Sequence, residues 1–126
     1  MSTGYRSIFR PDLFADQVHI VTGGGSGIGR CTAHELGALG AKVVLLGRKI
    51  EKLERVRDEI VEDGGAAEIH SIDIRDEEGV AETIKTILAN NPRVHGLVNN
   101  AGGQFPSPVQ AINKKGFETV VRTNLT

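Results

Sequence analysis

Between Thr22 and Gly29 the chain reads Thr22-Gly23-Gly24-Gly25-Ser26-Gly27-Ile28-Gly29, a run almost without side chains. Such a run lets a ligand approach the main chain closely, and free amide N–H groups at the start of a helix favour negative charge there. A diphosphate is the natural occupant. Ser26 is placed to cap the helix or to donate to phosphate. A second chemical feature follows about twenty residues later, where Gly47 precedes Arg48 and Lys49. A guanidinium and an ammonium side by side suit a phosphate monoester, which a carboxylate would repel.

These residues need a strand and a helix on either side, and the pattern of apolar residues supplies them. Short runs rich in Val and Ile alternate with segments of helical period, giving βαβαβαβ. Strands are predicted over 17–22, 42–46, 67–72 and 94–99. The first helix is predicted to run to Leu39, with Gly40 closing it. The second, 50–63, places Ile50, Leu53, Val56 and Ile60 on one face, and Gly64 and Gly65 stop it. The third, about 76–90, buries Val80, Ile84, Ile87 and Leu88 and ends before Pro92. A last helix starts near Asn113 with Phe117, Val120 and Val121 on its apolar face.

Val43-Val44-Leu45-Leu46 is apolar at successive positions, so both faces of that strand must be covered. Right-handed crossovers then give an α/β fold: a doubly wound, Rossmann-like parallel sheet in the order 3-2-1-4, truncated before the remaining strands. Ligands of such sheets bind at the carboxyl ends, at the switch between the first and fourth strands. The last helix reaches barely three turns at Thr126 without a cap, so residues 1–126 are expected to form a single dinucleotide-binding domain, incomplete at its C-terminus. The fourth strand would then expose an edge that a fifth should cover.

The glycines do not match G-x-G-x-x-G, but they do match T-G-x-x-x-G-x-G. That spacing, with Asn99-Asn100-Ala101-Gly102 after the fourth strand, resembles the short-chain dehydrogenase/reductase family over nearly the whole chain. The resemblance implies a cofactor-binding set of Gly23, Gly25, Ser26, Gly27, Ile28, Gly29, Arg48, Lys49, Asp73, Ile74, Asn100, Ala101 and Gly102. Within it, Asp73 matches the acidic residue beside the adenine, and residues 100–102 match the segment lining the adenosine ribose. With Gly47 where an acidic residue would hold the 2′-hydroxyl of NAD(H), Arg48 and Lys49 point to NADP(H).

The same resemblance matches Asn124, in Thr123-Asn124-Leu125-Thr126, to the family's catalytic asparagine. The family's serine and its Tyr-x-x-x-Lys pair have no match. Tyr5, the one tyrosine, precedes the first strand and has Phe9 rather than lysine four residues on. The chain alone is therefore expected to lack turnover, the complete protein being an oxidoreductase for a carbonyl, an alcohol or an enoyl-CoA. Residues 99–108, NNAGGQFPSP, resemble the branch containing peroxisomal trans-2-enoyl-CoA reductase and 2,4-dienoyl-CoA reductase. Two other readings stand beside this one: a nucleotide-binding module without chemistry, and an assembly subunit that supplies half of a split site.

Composition narrows the partners. The 126 residues are 39% hydrophobic and 25% charged, with 15 Lys and Arg against 16 Asp and Glu, a net charge of −1 and few aromatics. That balance argues against a nucleic-acid binder. No apolar stretch has the length of a membrane span, and residues 1–16 mix charges and proline among their apolar residues, unlike a signal peptide. The single Cys31 rules out an internal disulfide and is expected to be inert and buried, which fits a cytoplasmic protein. His19, His34, His70 and His95 lack the spacing of a metal site, so no metal is expected. The substrate is expected to be a small molecule or an acyl-CoA, and the resemblance implies a homo-oligomer when complete.

Overall fold

The computed structural model describes residues 4–101. Its four strands are β1 (Val18–Thr22), β2 (Lys42–Gly47), β3 (Ala66–Ser71) and β4 (Gly96–Val98), separated by the helices α1 (Gly27–Ala38), α2 (Ile50–Glu62) and α3 (Glu77–Asn90). All pairs are parallel and the order is β3-β2-β1-β4, as the alternation predicted. β1 pairs with β2 from Val18 opposite Lys42 to Thr22 opposite Leu46, and with β4 from His19 opposite Gly96 to Val21 opposite Val98. β4 is shorter than predicted. The last predicted helix lies outside the described residues.

The period-two rule divides the sheet's side chains between two cores. Val21, Val43 and Leu45 face α1 and α2, where they meet Ala33, Leu53, Val56 and Ile60. Ile20, Val44 and Leu46 face the other way and pack on Ile87 of α3. Val43, Val44 and Leu45 are fully buried, so the strand that ends in the candidate site is anchored from both sides. Each such side chain contributes about 1.5 to 3 kcal/mol by leaving water.

Helix ends follow local chemistry. Gly40, at φ +96°, and Gly64, at φ +95°, adopt the left-handed conformation that closes α1 and α2. In each case two amides return to the last turn: Gly40 N–H to Gly37 O and Ala41 N–H to Leu36 O, then Gly64 N–H to Val61 O and Gly65 N–H to Ile60 O. Asp76 starts α3 by accepting the Gly79 N–H at 3.1 Å.

Two burial expectations are corrected. Leu88 is 48% exposed, so Ile87 alone is the fully buried residue of α3. Cys31 is exposed rather than buried. It lies on the outer side of α1, whose inner face carries the small residues Gly29 and Ala33.

At the far end of the sheet a polar cluster ties α3 to β2 and β3. The Lys42 ammonium donates to Glu68 Oε1 at 3.1 Å and to Asn91 Oδ1 at 2.7 Å. The Asn91 amide donates to Glu68 Oε1 at 3.1 Å, and His70 Nε2 lies 2.6 Å from Glu68 Oε2. Burial alone would raise the Glu68 pKa, but hydrogen bonds from His70, Asn91, Lys42 and Asn90 outweigh it and bring it down to about 2. A carboxylate depressed on folding contributes stability that is complete above its unfolded pKa of about 4.3 and lost as pH falls toward the folded value. Glu68→Gln should therefore remove up to about 3 kcal/mol at neutral pH and flatten the acid side of the stability curve between about pH 5 and 2. Urea titrations across that range check it, and an unchanged acid slope would contradict it.

Candidate cofactor-binding site

β1 ends at Thr22 and α1 begins at Gly27, with the glycine turn between them at the carboxyl edge of the sheet. Gly23 and Gly27 both hold positive φ, +66° and +56°, which a side chain would strain. Gly29 is constrained differently, because a Cβ there would strike the Gly23 carbonyl and come within 2.6 Å of Asn100 Nδ2. The Arg30 N–H bonds to Ser26 O at 3.2 Å and so opens the intrahelical ladder. The amides of Gly27, Ile28 and Gly29 in the first turn lack such partners by construction and carry the positive end of the helix dipole. Ser26 is the extended N-cap residue, but its side chain makes no capping bond, which leaves its hydroxyl to the donor role. Ile28, 77% exposed, stands on the same turn.

Thr22 joins this turn to the end of β4. Its hydroxyl donates to Val98 O at 3.2 Å and accepts the backbone N–H groups of Asn100 and Ala101, both at 2.9 Å. The Asn100 amide donates to Gly23 O at 3.2 Å. The two halves of the sequence pattern, Thr22–Gly29 and Asn99–Ala101, therefore meet at the topological switch. Gly102 and Asn124 lie outside the described residues.

Beside the turn opens a cleft of about 500 Å³ bounded by Gly23, Gly25, Ser26, Arg48, Lys49 and Lys52. Gly47 keeps its inner wall low, since a Cβ there would already touch Leu53 Cδ2 at 3.1 Å. Ser71 Oγ donates to Arg48 O at 3.0 Å and fixes the backbone from which the guanidinium projects. Among the described residues no carboxylate forms an ion pair with Arg48, Lys49 or Lys52. Lys52 was not singled out in the sequence, although it follows Lys49 by one helical turn and could have been found that way.

A second, smaller cleft of about 140 Å³ adjoins the first, sharing Gly23 and Arg48 and adding Asp73, Ile74, Arg75 and Ala101. Hydrogen bonds from the Arg75 side chain, then its backbone N–H, hold the Asp73 carboxyl down at about 2, so it is ionised at any working pH. Thr22 and Arg75 were likewise missed as site residues. Their roles rest on bonds that only the folded turns create.

Tyr5 lies elsewhere. Its hydroxyl donates to Glu35 in the C-terminal half of α1, and that bond pushes its pKa up to about 12, which disfavours proton exchange near neutrality. His34 and His70, which sequence spacing left without carboxylate neighbours, do acquire them in the fold. His34 is buried 3.0 Å from Glu59, and His70 lies against Glu68. Among the described residues no three such groups converge as a metal site would need, and no helix is long and apolar enough to cross a membrane.

Comparison with known proteins adds family context. Residues 17–126 match the family model described as short chain dehydrogenase. A peroxisomal 2,4-dienoyl-CoA reductase of Danio rerio is 34% identical over 118 residues, 93% of this chain and 39% of the relative. Among solved structures, a citronellol catabolism dehydrogenase of Pseudomonas aeruginosa superposes with a TM-score of 0.89 and 64% identity, covering 96% of this chain and 49% of that one. A metagenomic short-chain oxidoreductase in complex with NADP gives a TM-score of 0.79 and 41% identity, over 89% of this chain and 51% of that one. The chain thus spans about two fifths of the curated relative and about half of the solved chains.

Proposed function

Because the chain belongs to the short chain dehydrogenase family, we propose that its carboxyl-edge clefts hold NADP(H) and that the protein carrying it is an oxidoreductase. The glycine turn supports this reading as a cradle that a single Cβ at Gly29 would fill. The diphosphate would rest on the amides of Gly27, Ile28 and Gly29, within reach of the Ser26 hydroxyl, with Ile28 covering it from solvent. Asn100, Ala101 and Gly102 would line the adenosine ribose, and Asp73 and Ile74 the base. When bound, the nicotinamide supplies hydride exchange. The chain's own part is to bind, orient and shield the dinucleotide, and Asn124 is assigned to the proton path of the complete site.

The observation that carries the choice of NADP(H) is the cationic wall formed by Arg48, Lys49 and Lys52 around the side-chain-free Gly47. A 2′-phosphate would gain charge-assisted hydrogen bonds there, whereas a 2′-hydroxyl finds no carboxylate at Gly47 to accept from it. Arg48→Ala should weaken NADPH by about 1 to 3 kcal/mol and leave NADH nearly unchanged. Calorimetric titration of both dinucleotides checks this, and equal affinities in the unaltered protein would overturn it.

For the substrate, the citronellol catabolism relative favours an acyclic terpenoid alcohol or its carbonyl. The dienoyl-CoA reductase relative favours an enoyl thioester. Following NADPH absorbance with citronellal and with a 2,4-dienoyl-CoA decides between them. The balanced charge and the lone cysteine support a cytoplasmic setting. Assembly into a homo-oligomer is part of the same proposal.

A further inference from the structure

Glu59, in the last half of α2, accepts from two successive turns of α1. Arg30 Nε donates to Glu59 Oε1 at 2.9 Å and Arg30 Nη2 donates to Oε2, a two-bond fork, while His34 Nε2 lies 3.0 Å from Oε1. A carboxylate has no donor, so the ring nitrogen of His34 donates to it. Glu59 is 14% exposed and His34 7%, with Arg30 closing the outer side. The Arg30 bonds outweigh burial and hold the Glu59 carboxyl below its ordinary range, so the fork is ionic at neutral pH. Such a fork fixes direction as well as distance, which a single surface ion pair does not.

The rest of the contact between the two helices resists sliding weakly. Apart from the half-buried Leu36, α1 brings Ala33 and Gly37 toward Val56 and Ile60 of α2, and a Cβ at Gly37 would already come within 3.2 Å of Ile60 Cγ2. Small residues let helices approach closely but raise low ridges that interlock poorly. Both helices begin at the carboxyl edge of the sheet. There the turn into α1 carries the amides assigned to the diphosphate, and Arg48, Lys49 and Lys52 stand at the start of α2. A Cβ at Gly25 would come within 3.0 Å of Lys52 Cβ, so the two starts lie side by side. The spacing between the two anion sites is therefore set by the offset of one helix against the other.

We propose that Glu59 is a positioning residue: by gathering Arg30 and His34 it fixes the offset of α1 against α2, and with it the distance between the diphosphate amides and the cations for the 2′-phosphate. This rests on the NADP(H) reading and adds to it a residue, outside both clefts, that sets how well the two phosphate groups are met at once. A ligand with only one of the groups can adjust its seat on one helix start and loses little. A ligand with both holds them at a limited separation, so a shift of the helices forfeits a charge-assisted hydrogen bond at one end.

The test is to titrate the full-length protein with NADPH, which carries both groups, with NADH, which carries the diphosphate alone, and with 2′-AMP, which carries the 2′-phosphate alone. In Glu59→Gln the affinity for NADPH should fall about tenfold or more, the range for one hydrogen bond to a charged group, while those for NADH and 2′-AMP stay within about threefold. Arg30→Met, at a partly exposed position, keeps the His34 bond and should move NADPH in the same direction. It carries the test by itself if Glu59→Gln does not fold. The double variant should lose no more than Glu59→Gln alone, and losses that add would give the two residues separate roles and overturn the tie. Equal weakening of NADPH and NADH, the mark of a merely structural role, overturns the proposal, as does no change in either. A loss for 2′-AMP as large as that for NADPH places the damage in the cations themselves and overturns it too. Unaltered protein that binds NADPH no better than NADH overturns the NADP(H) reading itself.

Discussion

Replacing Gly29 by alanine is expected to cost about 3 kcal/mol of stability and more than about a hundredfold in NADPH affinity. At an ordinary helical position the same change would be favourable by about 1 kcal/mol, because alanine is the better helix former. Here the added methyl meets the Gly23 carbonyl carbon at 2.8 Å and Asn100 Nδ2 at 2.6 Å. Neither contact is the loose end of a flexible chain. One is backbone in a turn already held at positive φ, and the other is an amide engaged with that same carbonyl. Relief requires the turn to open, which separates α1 from β4 and spoils the amide cradle.

Gly27 provides the control. It holds φ +56°, but a methyl added there would meet nothing within 4 Å, so Gly27→Ala carries only the left-handed penalty of about 1 to 2 kcal/mol. Chemical denaturation and NADPH titration of the two variants separate steric from conformational demand. Gly29→Ala binding as tightly as the unaltered protein would refute the cradle.

The sheet order was legible because β2 is apolar at four successive positions, a pattern that only a strand covered on both faces can satisfy. The glycine turn was legible because its residue types have few other uses. The inner face of α1 was harder to read. It is marked by small size rather than by hydrophobicity, with Gly29, Ala33 and Gly37 four residues apart and pressed toward the sheet and α2. A reading by residue type therefore placed Cys31 inside and gave no account of His34, which is buried because Glu59 of α2 lies 3.0 Å away. Arg75 was invisible for a related reason. Residues two apart do not face each other on a helix, and nothing in Asp73-Ile74-Arg75 announces the turn, closed by the Asp76 N–H on Asp73 O at 3.0 Å, that brings Arg75 back onto Asp73.

Thr22 shows how one hydroxyl can decide the geometry of the whole switch point, and Thr22→Val tests it with almost no change of shape. The residue is 8% exposed, and its hydroxyl accepts two N–H groups from residues 78 and 79 positions away. Valine leaves the Ala101 amide without its acceptor, whereas the Asn100 N–H and Val98 O keep the 3.1 Å bond they make to each other. At about 1 to 3 kcal/mol for the one group so stranded, the change should cost about 1 to 3 kcal/mol, beyond the few tenths gained from valine's strand preference. Because the lost bonds hold β4 to β1, amide exchange should accelerate first in β4 and the segment after it, with β2 and β3 still protected. Dinucleotide affinity should fall in parallel, and Thr22→Ser, which restores the oxygen, should recover most of both. Uniform exchange across all four strands in Thr22→Val would mean that the hydroxyl serves general stability, and that the switch point is held by something other than this bond.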